Sequence, residues 1–267
     1  MRILINYDYK YYPFTTASYF EMAIKRDPKL SVFRVGEARV PCADLILNIE
    51  PCPRLITYPT AVNCYLEIDN HIHQGRDFAK YNAVDKIFVT QKNFLGLYPK
   101  EKTTWLPLAA DPELHKLQPN EPTLYDVGFL GNTNYPERNT LLNQIAQKYK
   151  LLCSNAEPGI PYSKLLSQCK VLFNRSMDND MNMRFFEAMS IGRPLVSDVV
   201  PGQDDLFDGE SDYISYEKWE DLDTKIQFLL DHPEYAKKIG EQGAAHIRAE
   251  HTYQHRLEKI LQVCGFY

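Results

Sequence analysis

No Cys-x-x-Cys pair occurs anywhere in the 267 residues. The six cysteines (Cys42, Cys52, Cys64, Cys153, Cys169 and Cys264) are scattered, without the spacing that zinc ribbons and dithiol redox motifs require. They read as reduced and structural. Long apolar runs are missing as well. Neither the opening MRILINYDYKYYPF nor any later window suffices for a signal peptide or a bilayer span. The expectation is a cytoplasmic protein with no transmembrane segment. Basic charge is in short supply: 30 Lys and Arg face 35 Asp and Glu, a formal net charge of −5. A surface that coats nucleic acid needs clustered cations, so such a partner is disfavoured, although a local basic cleft stays open. Internal repeats, low-complexity tracts and heptads are also absent.

What remains is ordinary globular material, 44% hydrophobic and 24% charged, with 18 Tyr and 13 Phe for cores and stacking surfaces. Short branched or aromatic runs predict strands at RILIN (2–6), SVFRV (31–35), DLILNIE (44–50), RLITYPT (54–60) and KIFVTQ (86–91). A helix is expected over SYFEMAIKRD, with helical stretches near RDFAKYNA and KNFLGLY. The polar, proline-bearing KLQPNEPTL (116–124) reads as a linker. Beyond it the rhythm restarts with strands YDVGFLG, KLLCS, KVLFNR, RPLVSD and DYISY, separated by helices. Three helical segments close the chain near 217–231, 233–248 and 252–263.

Strands alternating with helices imply parallel sheets with helices on both faces. The fold class is therefore α/β, with two facing doubly wound Rossmann-like domains. The expected domains are residues 1–115, a linker at 116–124, residues 125–250, and a C-terminal helical segment at 251–267.

In open parallel sheets ligands bind beyond the carboxyl ends of the strands. After YDVGFLG come Gly131 and Asn132, leading to a helix that opens near Arg138. A glycine at a strand-to-helix turn lets backbone amides approach an anion, and the helix dipole adds to the attraction. An ordinary tight turn reads equally well. After KVLFNR, the polar SMDNDMNM feeds the helix MNMRFFEAMSI, whose apolar residues leave almost no polar face. Arg184 and Glu187 nevertheless sit in it, with Arg175 and Asn182 just before. A carboxylate there suits the two hydroxyls of a ribose, and Arg184 suits phosphate. The competing reading is an Arg184–Glu187 ion pair at three-residue spacing.

The segments YDVGFLGN…ER, VLFNRS…NMRFFEAMSIGRPLVSD…PGQDDLF and HTYQHRLEKIL resemble the C-terminal half of GT-B glycosyltransferases, in particular the CgeB-like "glycosyl transferases group 1" members. The likeness extends more loosely through EIDNH (67–71) and WLPLAADPELH (105–115). It implies an enzyme that moves a sugar from a nucleotide-diphosphate donor, UDP-sugar favoured, to an acceptor hydroxyl. The acceptor would be a glycan, a lipid-linked sugar, a protein or a small molecule. No cofactor and no metal are implied. Glu187 would hold the ribose. Gly131, Asn132 and, less directly, Arg138 and Arg184 would hold the diphosphate, and the last helix would cross back onto the N-terminal domain. Many such enzymes carry a second Glu eight positions earlier, where this chain has Asn179. An inverting reaction would need a base, for which Asp69 and His71 are the candidates. Two other readings stay open: a catalytically inactive nucleotide-binding module, and a glycosyltransferase acting on modified nucleic acid.

Overall fold

All the paired strands among the described residues run parallel, in two separate sheets. The computed structural model describes residues 1–10, 15–36, 42–69, 78–155 and 158–267. The chain divides into two units, Met1–Leu108 with Tyr253–Tyr267, and Ala109–Thr252.

The first unit holds β1 (Arg2–Asn6), α1 (Thr16–Arg26), β2 (Ser31–Arg34), β3 (Leu45–Ile49), β4 (Val62–Glu67), β5 (Lys86–Val89) and β6 (Thr103–Trp105). Its sheet order is β2-β1-β3-β4-β5-β6. Strand β3, LILNI, is buried at every position, as expected of a parallel strand covered on both faces. The stretch 54–60 is not the expected strand. Its place in the sheet is taken by β4, and two buried asparagines do the work of a ladder on the loop. Asn48 accepts from the Ile56 amide at 2.9 Å and donates to the Ile56 carbonyl at 3.0 Å, while Asn63 does the same for Tyr58 at 2.8 and 3.1 Å. Side-chain amides satisfy loop backbone that would otherwise cost free energy on burial.

The last helix of the chain belongs to this unit. In the helix at Tyr253–Val263, which we number α7, the Tyr253 ring lies 5.1 Å from Tyr19 and 5.2 Å from Phe20 of α1. Buried Arg256 donates from Nε to the Pro107 carbonyl at 2.7 Å and from Nη2 to the Leu108 carbonyl at 3.1 Å. Burial lowers its pKa to about 10. Arg256 therefore lies on a buried face of this helix.

The second unit contains β7 (Tyr125–Leu130), α2 (Pro136–Lys148), β8 (Leu151–Ser154), α3 (Ile160–Ser167), β9 (Cys169–Asn174), α4 (Met183–Ser190), β10 (Leu195–Asp198), β11 (Ile214–Tyr216), α5 (Trp219–Asp231) and α6 (Pro233–Glu250). Its strand order is β11-β10-β9-β7-β8. Val127, Phe129, Val171, Phe173 and Val196 pack with Leu142 and Ile145 of α2 and Leu222 and Ile226 of α5. Helix α4 packs against β9, β10 and α6. Among the described residues no helix is long and apolar enough to cross a membrane.

Candidate functional site

Strands β7 and β9 are neighbours although β8 comes between them in the chain. This is the switch point of a doubly wound sheet, where the loops leaving adjacent strands open a crevice. Here the two loops are residues 131–135, leading into α2, and residues 175–182, leading into α4.

Gly131 ends β7 with φ +144°, in the region that favours glycine. A Cβ there would lie 2.0 Å from Nη2 of Arg184. The Arg184 guanidinium is thus laid directly on the turn, with Nε donating to the Leu130 carbonyl. Its Cζ sits 4.6 Å from the centre of the Phe129 ring. Nη1 is buried and has no hydrogen-bond partner among the described residues. Burial lowers the pKa of Arg184. Among the described residues the hydrogen bond of Arg184 runs to the Leu130 carbonyl, while the Glu187 charge acts against the lowering.

Arg138 enters from the first turn of α2, and each of its three nitrogens donates a hydrogen bond to loop backbone. Its Nη1 donates to the Asn132 carbonyl at 2.7 Å, and Nε and Nη2 donate to the Arg175 carbonyl at 3.1 and 2.6 Å. It ties one crevice loop to the other. Burial and then the charge of Arg184 pull its pKa down to about 10. Two guanidiniums crowded at one strand end, partly offset by Asp198 and Asp180, form a region that favours an added anion.

Helix α4 is capped by Asn182, whose Oδ1 accepts from the Phe185 amide at 3.1 Å. The Asn182 Nδ2 is buried without a partner among the described residues. One turn on, buried Glu187 presents Oε1 at 3.4 Å from Nε2 of His115, itself only 1% exposed. His115 Nδ1 accepts the Asp111 amide at 3.1 Å, which fixes the proton on Nε2, aimed at the carboxylate. Burial lowers the His115 pKa from its ordinary 6.5, against the opposing charges of Glu187 and Asp111. Tyr162 of α3 stands edge-on to His115 at 6.0 Å. Its hydroxyl is buried without a partner among the described residues, and burial and the charge of Glu187 push its pKa up.

The depressed His115 pKa sets a sign for pH dependence. The unfolded chain takes up a proton near pH 6.5 and the folded one only lower, so stability is complete above 6.5 and falls as pH drops through that window. His115→Gln is expected to flatten the difference in melting temperature between pH 7.5 and 5.5. An unchanged difference would remove His115 from the acid response.

The other predicted residues are placed as follows. The Gly131 amide donates to the Ser154 carbonyl at 2.9 Å, and Asn132 Oδ1 accepts from the Asn134 amide at 2.9 Å. These two bonds shape the turn. Arg175 pairs with Glu137 and, at 3.2 Å, with Asp198. Asp198 also accepts the Ser176 amide at 2.9 Å, and burial raises its pKa. These side chains, with Arg138, Asp178 and Asn179, line a cavity of ≈ 480 Å³ at the carboxyl end of the sheet. Asp178 and Asn179 both have positive φ, 46° and 60°. In the first unit, the Asp69 amide donates to Glu50 at 3.0 Å at the end of β4. His71 lies outside the described residues, as do His73, Tyr11, Tyr12 and Phe14. Sequence reasoning gave no role to the side chains of His115, Tyr162 or Asp198, although His115 closes WLPLAADPELH and Asp198 closes RPLVSD, both segments already singled out.

Several solved structures share this architecture. HepE of Anabaena, in a complex with UDP and glucose, aligns with a TM-score of 0.68 at 12% identity, covering 100% of both chains. A glycosyltransferase from Rickettsia africae aligns at 0.62 and 13% identity, covering 98% of this chain and 97% of that one. S. aureus TarM aligns at 0.60 and 15% identity, over 82% of this chain and 55% of its own. At such identities the likeness establishes the fold, which is GT-B. No curated protein matches. The profile of the glycosyl transferase-like family, however, matches residues 125–262, just over half of the length and both crevice loops, and the chain belongs to that family.

Proposed function

We propose that the chain transfers a hexose-type sugar from a nucleotide-diphosphate donor to an acceptor hydroxyl, as a CgeB-like GT-B enzyme. The observation that carries this reading is the Arg184 guanidinium, laid on the Gly131 turn with Nη1 buried and unpartnered, one helical turn from a carboxylate held by His115. A diphosphate supplies acceptors for Nη1, and a ribose supplies two hydroxyls for Glu187. Tyr162 Oη and Asn182 Nδ2 offer further donors to the same ligand. Arg138 acts through the loops it ties, holding Asn132 and Arg175 in place. UDP is the favoured carrier, in keeping with the UDP complexes of HepE and TarM.

As the anomeric bond breaks, negative charge grows on the leaving diphosphate. In this reading Arg184, the positive field of Arg138 and the α2 and α4 N-termini stabilise it without a divalent ion. If the reaction inverts, Asp69 and His71 are the proposed base pair. A panel of UDP-, GDP-, ADP- and TDP-sugars, read by thermal shift and by nucleotide release, tests the proposal. Stabilisation by UDP-sugars with slow release in the absence of acceptor supports it. Release rates that differ less than twofold with and without Mg²⁺ or Mn²⁺ support a metal-free leaving step. Absence of any stabilisation by the four families would overturn the assignment. Binding without turnover across glycan, lipid-linked and small-molecule acceptors would favour a nucleotide-binding module, the reading that Asn179 at the second-Glu position favours.

A further inference from the structure

We propose a second site, for a zinc ion, at the carboxyl end of α6, with His246, Glu250 and His251 as ligands. His246 and Glu250 are four residues apart and share a helix face, while His251 is the residue at which the helix ends, with φ −125° and ψ 43°. One donor atom from each lies within 4.8 Å of the other two. A tetrahedral ion with bonds of about 2.1 Å draws such atoms together with sub-ångström to one-ångström shifts, and the exposed Glu250 side chain already lies on the His246 side of the cluster.

Two features beyond proximity point to a metal. Asp212 Oδ2 lies 2.8 Å from Nδ1 of His246, so the carboxylate accepts a hydrogen bond from Nδ1–H and leaves Nε2 to carry the lone pair, 3.8 Å from Glu250 Oε2. A carboxylate behind a ligating imidazole is the usual way of fixing its tautomer and raising its basicity. Phe207 then walls the pair, its ring 5.3 Å from His246 and 4.5 Å from His251, with the two imidazoles 5.1 Å apart. Two imidazoles and a carboxylate suit zinc better than magnesium or calcium, and they leave a fourth position for water. The His251 ring also lies 6.2 Å from Phe186, the residue before Glu187, so an ion here would brace α4 from behind. The site is separate from the donor groups and holds whether or not the transferase reading does.

The test uses the full chain, stripped with EDTA, dialysed and titrated with Zn²⁺ alone. One equivalent is expected to bind and raise the melting temperature by roughly 5 °C or more at a hundredfold excess over Kd. Glu250→Ala, at an exposed position, and His246→Ala are each expected to weaken binding at least tenfold. Co²⁺ is expected to give weak visible bands without the near-ultraviolet thiolate band. That distinction matters because Cys64 and Cys264 are 3.4 Å apart and are the competing ligands. No thermal shift, a shift unchanged in both variants, or a thiolate band would each overturn the site.

Discussion

Glu187→Ala is expected to lose at least about 100-fold in affinity for UDP and its sugars while the chain stays folded. A buried carboxylate that accepts two hydroxyl hydrogen bonds contributes about 1.5–3 kcal/mol through each, and 100-fold corresponds to about 2.7 kcal/mol. The cost to the fold is of another kind. Removing the carboxylate strands the Nε2 proton of His115, which is buried and directed at Glu187. An orphaned buried donor costs about 1–3 kcal/mol, or a drop of roughly 2–10 °C in a protein of this size. Helix α4 keeps its Asn182 cap and its Phe185 and Phe186 packing, because neither uses Glu187. Titration calorimetry with UDP, beside a melting curve, separates the two effects. Glu187→Gln, which offers one acceptor oxygen and a donor to the diol, is expected to fall between wild type and Ala. Equal affinity in all three proteins would remove the ribose role.

Much of this arrangement was legible in the residue order, because the strands obey a local rule. Runs such as LILNI and VLFN are buried on both faces, so their apolar letters announce them. The helix MRFFEAMS announces itself by the same logic, and its two charges drew attention because apolar neighbours surround them. The misreading at RLITYPT has an equally physical cause. Its letters have strand character, but the residues that decide its conformation are Asn48 and Asn63, both outside the stretch. The same limit applies at the site. His115 is 72 positions from Glu187 and on the far side of three strands in the chain, so no spacing rule joins them. Arg138 looked like a phosphate ligand from its place after a glycine turn. Only the carbonyls of Asn132 and Arg175, brought within reach by the β7–β9 pairing, show where its protons go.

Gly131→Ala is expected to damage both fold and site, and the pairing of that damage with Arg184 is the sharper test. Two separate costs arise. A side chain at φ +144° is strained whatever surrounds it, by about 1–3 kcal/mol. The new methyl would also lie 2.0 Å from Nη2 and 2.7 Å from Cζ of Arg184, closer than any non-bonded contact permits. The guanidinium must leave the turn, giving up the Leu130 carbonyl and its seat over Phe129. A melting temperature lower by roughly 10 °C is expected, together with a loss of UDP affinity close to that of Arg184→Ala alone. The double variant Gly131→Ala/Arg184→Ala removes the collision and keeps the backbone strain. It is therefore expected to melt above Gly131→Ala by several degrees while binding UDP no better, a coupling that independent sites would not show. Additive melting shifts would mean that Arg184 does not rest on the Gly131 turn. UDP affinity retained in Arg184→Ala would separate that contact from donor recognition, leaving Glu187 as the anchor.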